Sequence, residues 1–194
     1  MTEFLLRSDI AEIVSRLREN AQVFSGKTVL LTGGRGFLGR YFTEVFAALN
    51  ADVLEKPARV VILDNLITAG EAGSVAFSDP NMEFIQHDVI QPFPWEGELD
   101  YIIHAAGIAS PYYYRAFPLE TLEVAITGTR NMLELADRHD ARFTFFSSSE
   151  IYGDPDPKHV PIPESYRGNV SCQGPRACYD ESKRLGETMC WIYS

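Results

Sequence analysis

Apolar residues near the start of the chain recur at helical spacing. Leu5, Leu6, Ile10, Ile13, Val14 and Leu17 fall on one face of a 3.6-residue repeat, with Ser8 or Asp9 as candidate caps. The spacing predicts an amphipathic helix that packs against the rest of the chain or a partner subunit. From Lys27 the pattern changes. An apolar run over 28–32 meets a glycine-rich turn, a helical stretch over 37–49 follows, and a second apolar run covers 59–63. Apolar strands alternating with helices are βαβ order, which places helices on both faces of a parallel sheet. Further strands are expected at 82–86, 101–104 and 142–147, with a long helix over 118–138 and a last helix starting near Tyr179. Residues 93–95 and 154–163, rich in proline and turn formers, read as loops. The chain therefore divides into a helical extension, residues 1–26, and an α/β, Rossmann-like, doubly wound domain over 27–194.

Composition alters this picture mainly by exclusion. The 194 residues are 45% hydrophobic and 23% charged, ordinary for a globular domain with one core. No apolar run approaches the roughly 20 residues that span a bilayer, and acids stand among the apolar residues at the start, unlike a secretory signal. No membrane association and a cytoplasmic location are expected. A formal net charge of -10 argues against nucleic acid as a partner. An anionic ligand must then be met by local dipoles. Cys172, Cys178 and Cys190 are odd in number and lack metal-ligand spacing, so reduced thiols and no metal are expected.

Three local patterns carry chemistry. Thr32-Gly33-Gly34-Arg35-Gly36-Phe37-Leu38-Gly39 follows a predicted strand and opens a predicted helix. Gly33 permits a tight turn, Gly36 lets backbone approach a pyrophosphate, and Gly39 allows close packing of the helix. The helix N-terminus supplies unpaired amides and a positive dipole end. Asp64 ends the second strand, where an acid accepts hydrogen bonds from ribose hydroxyls and repels a 2′-phosphate, favouring NAD over NADP. Arg35 pulls the other way, as a cation beside the same turn. Tyr179 and Lys183 stand four apart at the start of a helix and share a face. A phenol with pKa near 10 needs about 4 kcal/mol of preferential phenolate stabilisation to act as a base at neutral pH, which a neighbouring ammonium helps supply. Ser147-Ser148-Ser149-Glu150 follows the fifth strand, at the carboxyl edge where open parallel sheets place ligands.

Taken together, Thr32 to Gly39, His104-Ala105-Ala106, Ser147 to Gly153 and Tyr179-Asp180-Glu181-Ser182-Lys183-Arg184 resemble the extended short-chain dehydrogenase/reductases, the NAD-dependent epimerase/dehydratase family that remodels nucleotide sugars. Within it the resemblance is closest to the UDP-glucuronate decarboxylases, through Glu164-Ser165-Tyr166, Gly168-Asn169-Val170, Gly174 to Glu181, Ala109-Ser110-Pro111 with Tyr114, and Gly128-Thr129 with Asn131-Met132-Leu133. Four positions depart from that subfamily's pattern: Arg35 for alanine, Ala125 for asparagine, Ser148 for threonine and Ser182 for glycine.

The resemblance implies NAD bound by Gly33, Gly36, Phe37, Leu38, Gly39, Asp64, Asn65, Asp88, Val89, Ala105, Ala106, Tyr179 and Lys183. It implies Tyr179, Lys183, Ser148 and Glu150 as the catalytic group, with Tyr114, Ser148 and Ser149 touching a nucleotide-sugar substrate. The implied reaction oxidises the sugar at C4, loses carbon dioxide from the β-keto acid so formed, and returns the hydride, giving UDP-xylose. It also implies a homodimer, and a substrate-closing C-terminal part that these 194 residues do not include. Dehydratase or epimerase chemistry is the alternative within the family. A truncated NAD-binding module without activity is the alternative from another class.

Overall fold

The computed structural model describes residues 7–70, 77 and 79–194. Strands β1 (Thr28–Thr32), β2 (Arg59–Asp64), β3 (Met82–Gln86), β4 (Tyr101–His104) and β5 (Arg142–Phe145) form one parallel sheet in the order β3-β2-β1-β4-β5. The order reverses at β1, so the connections leaving β1 and β4 diverge and open a crevice at the carboxyl ends of these strands. Both faces are covered. Val29, Leu31, Val60 and Ile62 pack with Val45, Phe46 and Leu49 of helix α2 (Phe37–Asp52). Leu30, Val61, Leu63 and Ile102 pack on the other side with Met132, Leu135 and Ala136 of a second helix. Burial on two sides is why these strands read as continuous apolar runs.

The amphipathic start is helix α1 (Arg7–Leu17), whose Ile10, Ile13, Val14 and Leu17 pack against the first core. Ser8 and Asp9 lie inside its first turn rather than capping it; Leu5 and Leu6 fall outside the described residues. A 3₁₀ segment (Arg18–Phe24) carries the chain onward, burying Ala21 and setting Phe24 edge-on to Phe46 and Tyr101.

The expected long helix over 118–138 is broken. Helix α3 (Pro111–Ala116) and helix α4 (Pro118–Glu123) each begin on a proline, the residue best suited to a first turn because its missing N–H is not needed there. A π turn (Val124–Gly128) then leads into α5 (Thr129–His139). Gly128 lies so close to Val89 that a Cβ would stand 2.8 Å from its Cγ2. Asp140, in the left-handed region at φ 51°, ends α5. β5 stops at Phe145, two residues short of expectation. The Phe146 N–H still donates to the His104 carbonyl at 3.1 Å, but its own carbonyl is taken by a lysine of the last helix. That helix, α6 (Ala177–Tyr193), opens two residues before Tyr179.

Candidate functional site: a cleft at the reversal of strand order

The glycine turn between β1 and α2 forms one wall of a cleft of about 300 Å³. Gly33 adopts φ +70°, and a Cβ there would come within 2.7 Å of the Ala105 carbonyl. Only a residue without a side chain lets the turn close against the exit of β4. Gly39 seals the turn on itself, since a Cβ would lie 2.5 Å from the Gly34 Cα and closer still to the Gly33 carbonyl. Gly36 is the N-cap of α2, and no side chain among the described residues caps the helix. With Gly36, Phe37, Leu38 and Gly39 all lining the cleft, the first-turn amides remain available to an anion.

At one end of the cleft stands Asp64. Its Oδ2 accepts from the Arg35 N–H at 2.9 Å and its Oδ1 from the Leu66 N–H at 2.8 Å. Two backbone donors therefore orient the carboxylate and leave further lone pairs for hydroxyl donors. Asn65 donates to Asp88 Oδ2 at 3.0 Å, and Asp88 Oδ1 accepts from the Ile90 N–H at 3.1 Å. This links the loops after β2 and β3. The Arg35 guanidinium packs over Phe77 and Phe84, 5.7 and 5.9 Å from their ring centroids, and is almost wholly buried. Desolvation, with Arg40 nearby, lowers its pKa from the usual value.

At the other end lie Tyr179 and Lys183, one turn apart on α6. Tyr179 stacks on Tyr114 with centroids 5.4 Å apart and planes 13° from parallel. Lys183 Nζ donates to the Phe146 carbonyl at 2.7 Å and lies over the Phe145 ring at 5.1 Å and the Tyr179 ring at 5.9 Å. Burial lowers the ammonium pKa to about 8. A Cβ on Gly107 would lie 3.3 Å from that nitrogen, so Gly107 leaves the cation its path to the cleft wall. Tyr179 and Lys183 line a narrow crevice together with Ala125, and this crevice shares Ala106, Gly107, Ile108 and Val124 with the main cleft. The small side chain of Ala125 adds no polar group there.

Ser148 and Glu150 sit at the start of a 3₁₀ turn (Ser149–Tyr152) that packs against α6. Ser148 Oγ accepts from the Glu150 N–H at 3.3 Å, and Ser149 is exposed. Glu150 is ion-paired with Arg176, whose guanidinium also lies 3.6 Å from Asp180 Oδ1. That Asp180 oxygen is buried without a hydrogen-bond partner among the described residues.

Behind the cleft, a buried chain ties the two central strands to α5. His104 Nδ1 meets Thr32 Oγ1 at 2.7 Å and Nε2 meets Thr129 Oγ1 at 3.2 Å, while the Ala106 N–H donates to Thr32 Oγ1 at 3.1 Å. The arrangement that uses the threonine hydrogen has Thr32 donating to Nδ1 and Nε2–H donating to Thr129, a tautomer assigned from the network. Burial first, and the Lys183 charge second, push the His104 pKa down to about 3.

The structure thus gathers Gly33, Gly36, Phe37, Leu38, Gly39, Asp64, Asn65, Asp88, Val89, Ala105 and Ala106 around a single cleft. Tyr179 and Lys183 adjoin it, with Tyr114 against the tyrosine. Ser148, Ser149 and Glu150 do not line it. Sequence reasoning missed several residues of the wall, among them Ile67, Thr68, His87, Gly107 and Phe146, and Arg176, the partner of Glu150. Gly107 follows directly on His104-Ala105-Ala106 and was open to discovery; the pairing of Arg176 with Glu150 leaves no local trace. Among the described residues no group of three or more His, Cys, Asp or Glu side chains is placed to hold a metal ion, and no helix is long and apolar enough to cross a membrane.

Comparison with known proteins gives a consistent result. The sequence profile of the NAD dependent epimerase/dehydratase family matches residues 29–194. UDP-glucuronic acid decarboxylase 2 of Arabidopsis thaliana is 41% identical over 169 residues, 87% of this chain and 36% of that protein. UDP-glucuronic acid decarboxylase 1 of Xenopus tropicalis is 42% identical over 169 residues, 86% of this chain and 37% of that protein. The chain spans well under half the length of these two relatives. Among solved structures, an epimerase from Methanothermobacter thermautotrophicus superposes with a TM-score of 0.70 at 26% identity, covering 92% of this chain and 51% of that one. The UDP-glucose 4-epimerase of Thermus thermophilus, solved in complex with NAD, superposes with a TM-score of 0.61 at 25% identity, covering 86% of this chain and 50% of that one.

Proposed function

Because the chain belongs to the NAD dependent epimerase/dehydratase family, we propose that its cleft binds NAD and serves the decarboxylation of UDP-glucuronic acid to UDP-xylose through a 4-keto sugar. The observation that carries this reading is the meeting of three features at one sheet edge. These are an uncapped helix N-terminus behind glycines, an oriented Asp64, and a Tyr179–Lys183 pair at the far end. The named relatives at about 40% identity supply the substrate class.

The residues present suit a dinucleotide. Residues 37–39 offer backbone amides to the pyrophosphate without cationic side chains, the Gly36 N–H already donating to the Gly33 carbonyl. Asp64, already held by two amides, faces the ribose hydroxyls and disfavours a 2′-phosphate. The Arg35 guanidinium, turned onto Phe77 and Phe84, supports NAD over NADP. When bound, the dinucleotide supplies a reversible hydride acceptor. Tyr179 then takes the proton from the sugar C4 hydroxyl, and Lys183 stabilises its phenolate and holds the adjacent ribose. Ser148 donates to the developing C4 oxygen, where a misplaced donor costs a few kcal/mol. The C4 ketone is β to the sugar carboxylate, so carbon dioxide leaves as the enolate forms. Glu150, oriented by Arg176, assists proton handling. Tyr114 and Ser149 flank the sugar.

In this reading residues 27–194 form the cofactor domain and residues 1–26 extend it. A homodimer and a cytoplasmic location belong to the same proposal.

The test is to incubate the protein with NAD and UDP-glucuronic acid and follow products by mass spectrometry, with NAD titration calorimetry on the 194-residue chain in parallel. A UDP-pentose with no net NADH is expected, lost on Tyr179→Phe while NAD affinity stays within about threefold. Unchanged substrate from a chain that binds NAD and carries a substrate-closing part refutes the decarboxylase and points to dehydratase or epimerase substrates, whereas unchanged substrate from the 194 residues alone fits an NAD-binding module without activity. Turnover retained by Tyr179→Phe refutes the assignment of the base.

A further inference from the structure

We propose that the N-terminal helix positions the aromatic lip of the cofactor cleft, acting through Asp9, Tyr41 and Phe37. The proposal rests on reading the cleft as a dinucleotide site. Phe37 is the first residue of α2 and lines the cleft, yet it is 66% exposed. Core packing does not hold a ring so exposed. Its ring instead meets Tyr41, one turn further along α2, edge-on with centroids 5.6 Å apart and planes at 69°. Tyr41 in turn donates its hydroxyl to Asp9 Oδ2 of α1 at 3.0 Å.

A hydrogen bond to an ionised carboxylate is among the stronger ones, and here both ends are anchored. Ile10, Ile13, Val14 and Leu17, which follow Asp9 on the same helix, pack α1 against the core. Thr43, Val45 and Phe46 bury the body of α2. The line α1–Asp9–Tyr41–Phe37 therefore runs from a segment outside the βαβ pattern to the amides that receive the pyrophosphate. Asp9 does not line the cleft, so its role is positioning. Its contribution to affinity is pre-organisation, the reduction of what the ligand must order on binding. No disulfide or metal is required, and the coupling reads out in the ligand-free chain.

Four variants of the full chain test it: Asp9→Ala, Asp9→Asn, Tyr41→Phe and the Asp9→Ala, Tyr41→Phe double variant. Each is followed by the aromatic NMR resonances of Phe37 without ligand, by NAD calorimetry and by thermal unfolding. Asp9→Ala is expected to shift the Phe37 resonances and weaken NAD binding about three- to tenfold. Asp9→Asn, which keeps an acceptor, should recover most of both. The losses in the Asp9→Ala, Tyr41→Phe double variant should fall short of the sum of the single losses, the mark of a shared interaction. Unmoved Phe37 resonances in Asp9→Ala overturn the proposal, as does unchanged NAD affinity. If the wild-type chain does not bind NAD while Phe37 still responds to Asp9, the coupling stands and the cofactor reading falls.

Discussion

The two ends of the cleft are made of different material. Around Asp64 and the glycine turn, the geometry is set by backbone: amides of Arg35 and Leu66 hold the carboxylate, and Gly33 and Gly39 touch the main chain of their neighbours. Around Tyr179 it is set by side chains drawn from β5, its following turn, α3 and α6, with Lys183 reaching the Phe146 carbonyl and Arg176 reaching Glu150. Backbone construction tolerates almost no substitution but needs no partner domain. Side-chain construction can be retuned residue by residue, and it is where relatives sharing one cofactor site can diverge in chemistry.

The comparison breaks most clearly at Gly39. Gly39→Val forces a branched side chain into the Gly33 and Gly34 backbone and is expected to cost about 3–4 kcal/mol of stability. Urea unfolding should show that loss, with NAD binding gone; a stable variant with intact affinity would show the turn to be less constrained than its geometry implies.

His104 lies behind the cleft, tying β1 and β4 to α5. It stays neutral in the fold down to about pH 3, whereas the unfolded chain takes up the proton near the ordinary value of 6.5. The unfolded state thus binds more protons between these values, and stability falls as pH drops through that window. The loss between pH 6.5 and 4 is on the order of 3 kcal/mol. His104→Gln should flatten that slope in urea titrations at several pH values, and an unchanged slope would assign the acid sensitivity elsewhere.

Lys183 acts with the same sign on the alkaline side, stability again rising with pH. Its folded pKa of about 8 lies below the ordinary 10.5, so the cost of burying the ammonium is fully present below pH 8 and is relieved as pH rises toward 10.5. Relative to Lys183→Met, the wild type should gain on the order of 2 kcal/mol between pH 7.5 and 10. Parallel curves for the two proteins would mean that the ammonium is solvated.

The smallest stability effect belongs to the Arg176–Glu150 pair, half exposed on the guanidinium side. Arg176→Gln should change stability by no more than about 0.5 kcal/mol, less at high salt, and leave NAD affinity unchanged. A drop in NAD affinity would mean that the side-chain end is not independent of the backbone end.

Much of the backbone end was legible in advance. Glycines at 33, 36 and 39 between an apolar run and a helix, and an acid closing the next strand, are local signals with a direct steric or dipolar cause. The other end was legible only in part. Tyr179 and Lys183 showed themselves by i,i+4 spacing, but nothing near Glu150 announces Arg176, 26 positions away on another element. The break of the expected long helix was half visible, since Pro111 and Pro118 mark helix starts, while no residue nearby in sequence announces the π turn over Val124–Gly128.

Order and type of the elements came from local chemistry: burial on two faces makes continuous apolar strands, and amphipathic period makes helices, wherever they end up in space. The tertiary structure alone decided which strand lies beside which, that Arg35 turns its cation onto Phe77 and Phe84, that Lys183 loses much of its hydration, and that an N-terminal helix reaches the cleft through Tyr41. Those depend on contacts between residues tens of positions apart, whose desolvation and directionality no local window of sequence contains.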